Sequence, residues 1–528
     1  MGKQMKSDAD ESSRMWASAS FVGVLIVIGL PLWWKTTEVY RVSLPYDKIA
    51  SFDSLSHTIA TEVTVMANDE SIASQIAGLI EKSFEDSTTL KVKVNKTILS
   101  DSLRNTLESV ADEPEAIEEV AASVSVSKPN TLYVVQRSPL FQNVWLSGER
   151  VMFFRDSKAG PTIIQALKNW VYQTSVLKAA VSESDEARRT RFPPGGGYHV
   201  TLSVAVPSPK TKLRFPARDA MEDYIGTFVD ELSELHNFTL KSQWLYLLDF
   251  DFQAKEVKDK SEYGRHFAVR KDRLHLLLTR LEERAATHVS ELPTINLVLY
   301  AVPCERAPLV IYDDDTRVPT PVHAFMSPKW GGVVLANPRP EECRGEGEWE
   351  VEPNVQRVMG AFVAQLRPLL GIPDMAHIPD AQMDPLRSVT PRHWEVDALL
   401  RLRVLEQITS AENTLQSLAQ SLGEISNIVI NDEVGASINA AVDGIGLARS
   451  QLAAGQLVEA YKSSRGAHRA AETAFMEPSL LALLYFPDDQ KYAIYIPLFL
   501  PIMFPVVLSL KTLLLWLRGK PLHKEKAD

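Results

Sequence analysis

A chain of 528 residues with 67 acidic against 56 basic side chains carries a formal net charge of −11. Nucleic-acid binding draws its affinity from a basic face, so that class of function is excluded. The length exceeds what one hydrophobic core holds, and two folded units are expected.

Residues 1–14 balance three basic against three acidic side chains, and from Met15 to Trp34 no residue is charged. About 20 apolar helical residues cross a hydrocarbon core, so 15–34 reads as a first transmembrane helix. A cleaved signal peptide is the competing reading. Against it, the apolar run is long for a signal core, and L-P-L-W-W-K follows instead of a small-x-small cleavage site. Trp33 and Trp34 suit the aromatic belt at a membrane interface.

Residues 35–371 alternate strand-like and helix-like segments. Runs rich in β-branched and aromatic residues predict strands at 90–94, 131–136, 198–206, 244–252, 295–302 and 308–312. Apolar periodicity predicts helices over Ser71–Ser83, Pro161–Val181, Arg218–Leu235, Lys271–His288 and Asn354–Leu370. The alternation points to an α/β or α+β domain around a mixed sheet. Two stretches read as exposed loops, the acidic 112–119 and the basic, then glycine-rich, 186–197. N-K-T at Asn95 and N-F-T at Asn237 are glycosylation acceptors, usable only in the secretory lumen.

Catalytic and metal signals are weak. No G-x-S-x-G elbow occurs. Cys304 follows a strand candidate and His323 lies downstream, a pairing that in principle attacks a carbonyl, but neither sits in a nucleophile motif. His266 and His275 lack metal-ligand spacing. Asp313, Asp314 and Asp315 suit a solvated turn better than a calcium loop. Gly195–Gly197 lack the Lys and Ser/Thr of a phosphate loop and read as a flexible turn. Cys304 and Cys343 are the two cysteines. In an oxidising lumen they are either a disulfide or two separate thiols. No metal and no cofactor is expected.

Residues 372–391 carry Pro373, Pro379, Pro385 and Pro391, which forbid a continuous helix and mark a linker. From 392 to 486 the period becomes helical. Val404, Ile408, Ala411, Leu415, Leu418, Leu422 and Ile425 form one stripe. Val434, Ile438, Ala441, Ile445, Ala448 and Leu452 form a second. Leu457, Tyr461, Ser464, His468, Ala471 and Phe475 form a weaker third. Asn431 is placed to cap the second helix and Gly455 to end it. A self-contained antiparallel bundle is the plain reading; a docking face for a partner is the sharper one. Leu480–Phe486 follow, with Tyr485 fitted to anchor at the interface.

Residues 492–510 are again uncharged and read as a second span. Pro497, Pro501 and Pro505 are spaced by about one helical turn, so they share one face. Each removes a backbone donor. That face is expected to pack on another subunit's helix or on lipid, or else simply to kink the span. The tail 511–528 is basic, which by the positive-inside rule puts both termini in the cytosol and residues 35–491 in the lumen. Lys524 and Lys526 sit where a dilysine retrieval signal to the endoplasmic reticulum would lie, or form a generic basic flank.

Four stretches carry a family likeness. They are L-P-L-W-W-K-T-T-E-V-Y-R-V-S-L-P-Y at 30–46, H-A-F-M-S-P-K-W-G-G-V-V-L-A-N at 323–337, S-L-A-Q-S-L-G-E-I-S-N-I-V-I-N-D-E-V at 417–434, and L-L-Y-F-P-D-D-Q-K-Y-A-I-Y-I-P-L-F-L-P ending at Pro501. Together they resemble the PIG-S family, the phosphatidylinositol-glycan class S subunits of the GPI transamidase. Asn237 matches a sequon of that family; Asn95, the acidic stretch 112–119 and the cysteine pair are not assigned to it. The resemblance implies an endoplasmic-reticulum membrane complex that replaces a precursor's C-terminal signal with preformed GPI. It implies a non-catalytic role in assembly or substrate recruitment, the Cys/His dyad being supplied by a separate class K cysteine protease. Class K, class T, class U and the anchor-attachment subunit are the implied partners, with membrane lipid, GPI included. A stand-alone lumenal adaptor or chaperone, or a hydrolase using Cys304, are the alternatives.

Overall fold

The computed structural model describes residues 2–38, 40–54, 56–125, 128–182, 187–249, 254–258, 264–274, 278, 281–283, 292–313, 318–344, 347–386, 389–424, 428–478, 480 and 488–518. The chain divides into two compact units. The larger comprises Ser54–Ala411 and Asp443–His468; the smaller comprises Met1–Asp53, Glu412–Val442 and Arg469–Asp528.

The larger unit is the mixed α/β body. Its first strands are β1 (Ile59–Ala67), β2 (Leu90–Ile98), β3 (Thr131–Gln136), β4 (Val144–Leu146), β5 (Val151–Phe154) and β6 (Gly197–Val206). Next come β7 (Thr211–Leu213), β8 (Asn237–Tyr246), β9 (Lys255–Lys258), β10 (Arg265–Arg270) and β11 (Thr294–Ala301). The last are β12 (Leu309–Tyr312), β13 (Ala324–Ser327), β14 (Gly331–Ala336), β15 (Trp349–Val351) and β16 (Ala381–Met383). A six-stranded sheet runs β16-β4-β5-β3-β1-β2 and a five-stranded sheet runs β13-β14-β11-β6-β8. The two share one plan. In each, the first strand lies between the second and third, all parallel, then comes a parallel fourth strand with an antiparallel hairpin partner. This is a doubly wound order, with the reversal between β1 and β3 and between β6 and β11.

β1 escapes the sequence reading. Its buried positions Ile59, Val63, Val65 and Ala67 alternate with Glu62, Thr64 and other half-exposed residues, so no continuous apolar run appears. β8 starts at Asn237, earlier than the expected 244, because an edge strand buries few side chains fully. The helix Val355–Leu370 begins where Asn354 Oδ1 accepts the Arg357 N–H at 2.9 Å, and it ends at Gly371, whose φ is 104°. The helix expected over Pro161–Val181 is broken at Gln173, whose φ is 45°. Most of the helix expected after Lys271 falls outside the described residues. The stretch 372–391, expected as a linker, is stitched into the sheet: β16 pairs parallel with β4, and the Asp384 N–H donates to the Leu146 carbonyl at 2.8 Å.

Three long helices follow: His393–Glu424, Asp432–Ala453 and Leu457–Phe475. The Val434 N–H donates to Asn431 Oδ1 at 2.8 Å, and Gly455 takes a φ of 75°, as the capping pattern predicts. Ile425 lies outside the described residues; the other stripe positions are buried as far as Ala471, but Phe475 is exposed, so the third stripe stops short of it. The three helices do not form a unit of their own, since each divides between the two units.

His393–Glu424 is also buried on faces that look solvated in the sequence. Glu395, Asp397, Arg401, Arg403, Glu406 and Gln407 are all withdrawn from water. Arg150 grips Asp397 with two bonds, of 2.6 and 2.9 Å. Arg191 and Arg403 hold opposite oxygens of Glu406, at 2.8 and 3.0 Å. Arg367 and Arg392 meet on Glu395 Oε1, at 2.6 and 2.8 Å. Among the described residues, Arg401 makes no ion pair of its own with a carboxylate. It donates to Asn130 Oδ1 and the Val171 carbonyl, each at 3.0 Å, and stacks 4.9 Å over Tyr172. Burial pushes its pKa down. Breaking a buried pair strands a charge, so Arg150→Ala is expected to lower the unfolding free energy by about 3–5 kcal/mol. Urea unfolding of the full chain in mild detergent checks this; a loss under about 1 kcal/mol, the worth of a surface pair, contradicts it.

Candidate functional site

In doubly wound sheets, ligands bind beyond the strand carboxyl ends where the order reverses. At the β1/β3 reversal that place is laced by the chain itself. The Asn68 N–H donates to Gln136 Oε1 at 3.0 Å, and Arg104 donates to Asn68 Oδ1 and to its carbonyl, each at 3.2 Å. Buried Arg137 donates to the carbonyls of Leu107, Val110 and Ala111 and pairs with Asp112 at 2.7 Å. The acidic stretch expected as a loop is thus half structural: Asp112 is this clasp, and Pro114–Val124 is a helix burying Ile117, Val120 and Ala121.

Near the second reversal, Cys304 follows β11. Its Sγ lies 2.07 Å from Sγ of Cys343, with the Cα atoms 5.5 Å apart. A sulfur bonded in this way has no thiolate to attack with. Its partner is Cys343, not His323. His266 is buried between the Gly264 carbonyl and the Tyr312 hydroxyl, at 2.8 and 2.7 Å. His275, Asp314 and Asp315 lie outside the described residues. Among the described residues, no three His, Cys, Asp or Glu are arranged to hold a metal.

Gly195–Gly197, expected as a flexible turn, are hydrogen-bonded to neighbouring elements, and Gly197 is packed. His236 Nδ1–H donates to the Gly195 carbonyl at 2.9 Å, and Arg465 donates to that of Gly196 at 3.1 Å. A Cβ on Gly197 would sit 2.7 Å from the Asn237 carbonyl oxygen. Burial, with Arg403 nearby, pushes the His236 pKa down to about 3, so its ring is neutral. Arg191, in the stretch expected as a basic loop, is the buried partner of Glu406.

Both sequons fall on outermost strands of the two large sheets. Asn237 opens β8 and is exposed. Asn95 is half-buried in β2, with Nδ2 2.5 Å from Glu62 Oε1.

In the smaller unit, Met15–Lys35 is long and apolar enough to cross a membrane. Ala493–Pro501 and Met503–Trp516 meet at 52° and qualify only when taken as one bent span. The bend falls where Pro505 has no N–H for the Pro501 carbonyl. Trp33 stands edge-on to Phe499 and Tyr495, at 5.4 and 6.2 Å. Pro497, Pro501 and Pro505 are all exposed. Where the chain leaves the first helix it forms a joint. The Val42 N–H donates to the Ile430 carbonyl, and the Ile430 N–H to that of Tyr40, each at 3.1 Å. The Tyr40 hydroxyl donates to Asp432 Oδ1 at 2.9 Å, and Arg41 donates to the Leu422 carbonyl. Gly435 admits Val42, whose Cγ1 would lie 2.8 Å from a Cβ there. Tyr485, Lys524 and Lys526 lie outside the described residues.

A family model described as phosphatidylinositol-glycan biosynthesis class S protein, PIG-S, matches residues 20–520. The chain belongs to the PIG-S family. It is 34% identical to the GPI-anchor transamidase component PIGS of Bos taurus over 550 residues, and 32% to that of Homo sapiens over 547, covering 97% of each chain. It is 24% identical to the GPI transamidase component PIG-S homolog of Schizosaccharomyces pombe, over 98% of this chain and 86% of the relative. Of the four stretches that resemble PIG-S, the anchor exit and the helix-turn-helix build the Tyr40–Asp432 joint. The described part of the C-terminal stretch supplies Tyr495 and Phe499 against Trp33. The stretch 323–337 is the β13–β14 hairpin. There Gly331, at φ 147°, passes so close to Asn296 that a Cβ would lie 1.8 Å from its carbonyl oxygen.

One carboxyl in this PIG-S chain titrates near neutrality. Burial raises Glu118 to about 7, and Asp384 adds to the effect, against the 2.9 Å bond from the Gly148 N–H. A raised carboxyl pKa favours the fold below the unfolded value of 4.5, and that contribution is lost as pH rises through 7. Glu118→Gln is expected to leave stability unchanged below that range. Above it, the variant should gain about 1–2 kcal/mol, screened by the side chain's partial exposure. Thermal unfolding of both proteins from pH 4 to pH 8 checks it; parallel curves contradict it.

Proposed function

We propose that the chain is a non-catalytic component of the endoplasmic-reticulum GPI transamidase, supporting assembly or precursor recruitment while another chain performs the transfer. The observation that carries the reading is its likeness to transamidase components over 97% of both chains. The filled β1/β3 crevice and the bonded Cys304 sulfur favour a chain that positions others. On this proposal its partners are the class K cysteine protease, class T, class U and the anchor-attachment subunit.

The proposed topology has two spans, 15–34 and 492–510, with cytosolic residues 1–14 and 511–528 and a lumenal body between them. Glycosylation at Asn95 and Asn237 and a Cys304–Cys343 disulfide suit that compartment. Lys524 and Lys526 then lie on the cytosolic side, where a retrieval signal is read. The exposed ridge of Pro497, Pro501 and Pro505 leaves the carbonyls of Ala493, Pro497 and Pro501 without their helical donors. In lipid those carbonyls require partners, and a neighbouring subunit's helix or the GPI lipid meets that need.

Depletion followed by rescue tests the proposal. Loss of the chain is expected to accumulate precursors that keep their C-terminal signal. The native chain should restore processing, and the triple Leu variant of the three prolines should restore it only weakly. Normal anchored-protein delivery after depletion refutes the function, whereas full rescue by the triple variant refutes the ridge alone.

A further inference from the structure

The larger unit holds an open cleft of about 620 Å³ beside the amino ends of β1 and β3. Its polar lining includes Glu62, Lys93, Lys128, Asn130, Gln456 and Glu459. The charged groups are two carboxylates and two ammoniums, so the lining offers donors and acceptors in balance. That composition suits a neutral polyhydroxyl ligand better than an ion.

Asn95 is rooted at the rim. Register places Lys93 opposite Glu62 and Asn95 opposite Thr64. Alternation along a strand then puts Asn95 on the same face as Lys93. Its Nδ2 lies 2.5 Å from Oε1 of Glu62, a residue that itself lines the cleft. Lys128 reaches the other Glu62 oxygen at 3.3 Å. Anything attached to Nδ2 therefore begins within one side chain of the cavity.

We propose that this cleft seats the chain's own N-glycan, the first sugars on Asn95 lying in it and hydrogen-bonding Glu62, Lys128 and Gln456. Attachment replaces one Nδ2 hydrogen by the sugar C1; a lipid-diphosphate-linked donor supplies the sugar, and the lipid diphosphate leaves with the proton. The second Nδ2 hydrogen remains, so the bond to Glu62 survives and aims the sugar. Tethering also gives the sugar a high effective concentration at the cleft, so modest contacts suffice to hold it. Gln456 and Glu459 sit on the turn between two helices and at the start of the second, so a seated glycan clasps that turn to the β1–β2 edge. Asn237, by contrast, is exposed at the start of β8 and is not among the residues that line this cleft.

The inference rests on the lumenal placement of the body, and the exposed Asn237 sequon separates the two. The full chain, made in cells and extracted in mild detergent, is treated with an amide-cleaving glycosidase before and after denaturation. The Asn237 glycan should leave the native protein readily, and the Asn95 glycan only after denaturation. Lys128→Ala with Gln456→Ala removes two of the contacts and should speed native release from Asn95 by about tenfold. Equal release rates at the two sites, or no change in the double variant, overturn the proposal. If Asn237→Gln shifts gel mobility and Asn95→Gln does not, the seat is refuted while the lumenal body stands. If neither shifts it, the lumenal placement fails and takes the seat with it.

Discussion

The larger unit is organised around charges buried along the first half of the helix His393–Glu424. Moving a guanidinium or a carboxylate out of water costs several kcal/mol, and only close pairing with full hydrogen bonding offsets it. Here the pairing partners arrive from several elements: Arg150 beside β5, Arg191 ahead of β6, Arg367 from the helix after β15, and Asn130 from the turn before β3. Asn130 ties the arrangement together. At φ 63° its Oδ1 accepts from Arg401, its backbone N–H donates to Asp397 Oδ2 at 3.1 Å, and its Nδ2 donates to the Ala60 carbonyl at 2.7 Å. An apolar helix of the same size would fit in many rotations. A helix whose Asp397, Arg401 and Glu406 must each meet fixed partners fits in a single register.

The same economy explains why two doubly wound sheets coexist with filled chemistry. Arg104, Arg137 and Asp112 spend at the β1/β3 reversal the polar capacity that such folds otherwise present to a ligand. What remains outward is an edge strand on each sheet, with a sequon on each, and a membrane-associated unit whose joint is built from Tyr40, Arg41, Ile430 and Asp432. On the proposed function, those features serve a chain that holds position among others.

The sequence disclosed what depends on local pattern. β3, β6, β11 and β12 are near-continuous β-branched or aromatic runs because both their faces are covered. Asn354, Asn431 and Gly455 marked helix ends because capping is local chemistry. It concealed what depends on distant partners. Arg150 and Asp397 are 247 residues apart, and without its partner each charge reads as a solvated face. β14 begins with two glycines, which argue against a strand until Asn296 and Gln365 are seen pressed against them. The prolines at 373–391 interrupt the helical pattern and hid the three residues of β16 between them. Family likeness was legible where spacing was not: its stretches name the joint and the hairpin, which no periodicity would single out.

The most direct test of the central claim, that the chain works as a held component and not as a catalyst, is its purification at native abundance in mild detergent. The account expects a stoichiometric membrane complex containing a separate cysteine protease, with transamidase activity that survives Cys304→Ser. Recovery of this chain alone, or activity abolished by that substitution in an intact, folded complex, would contradict it.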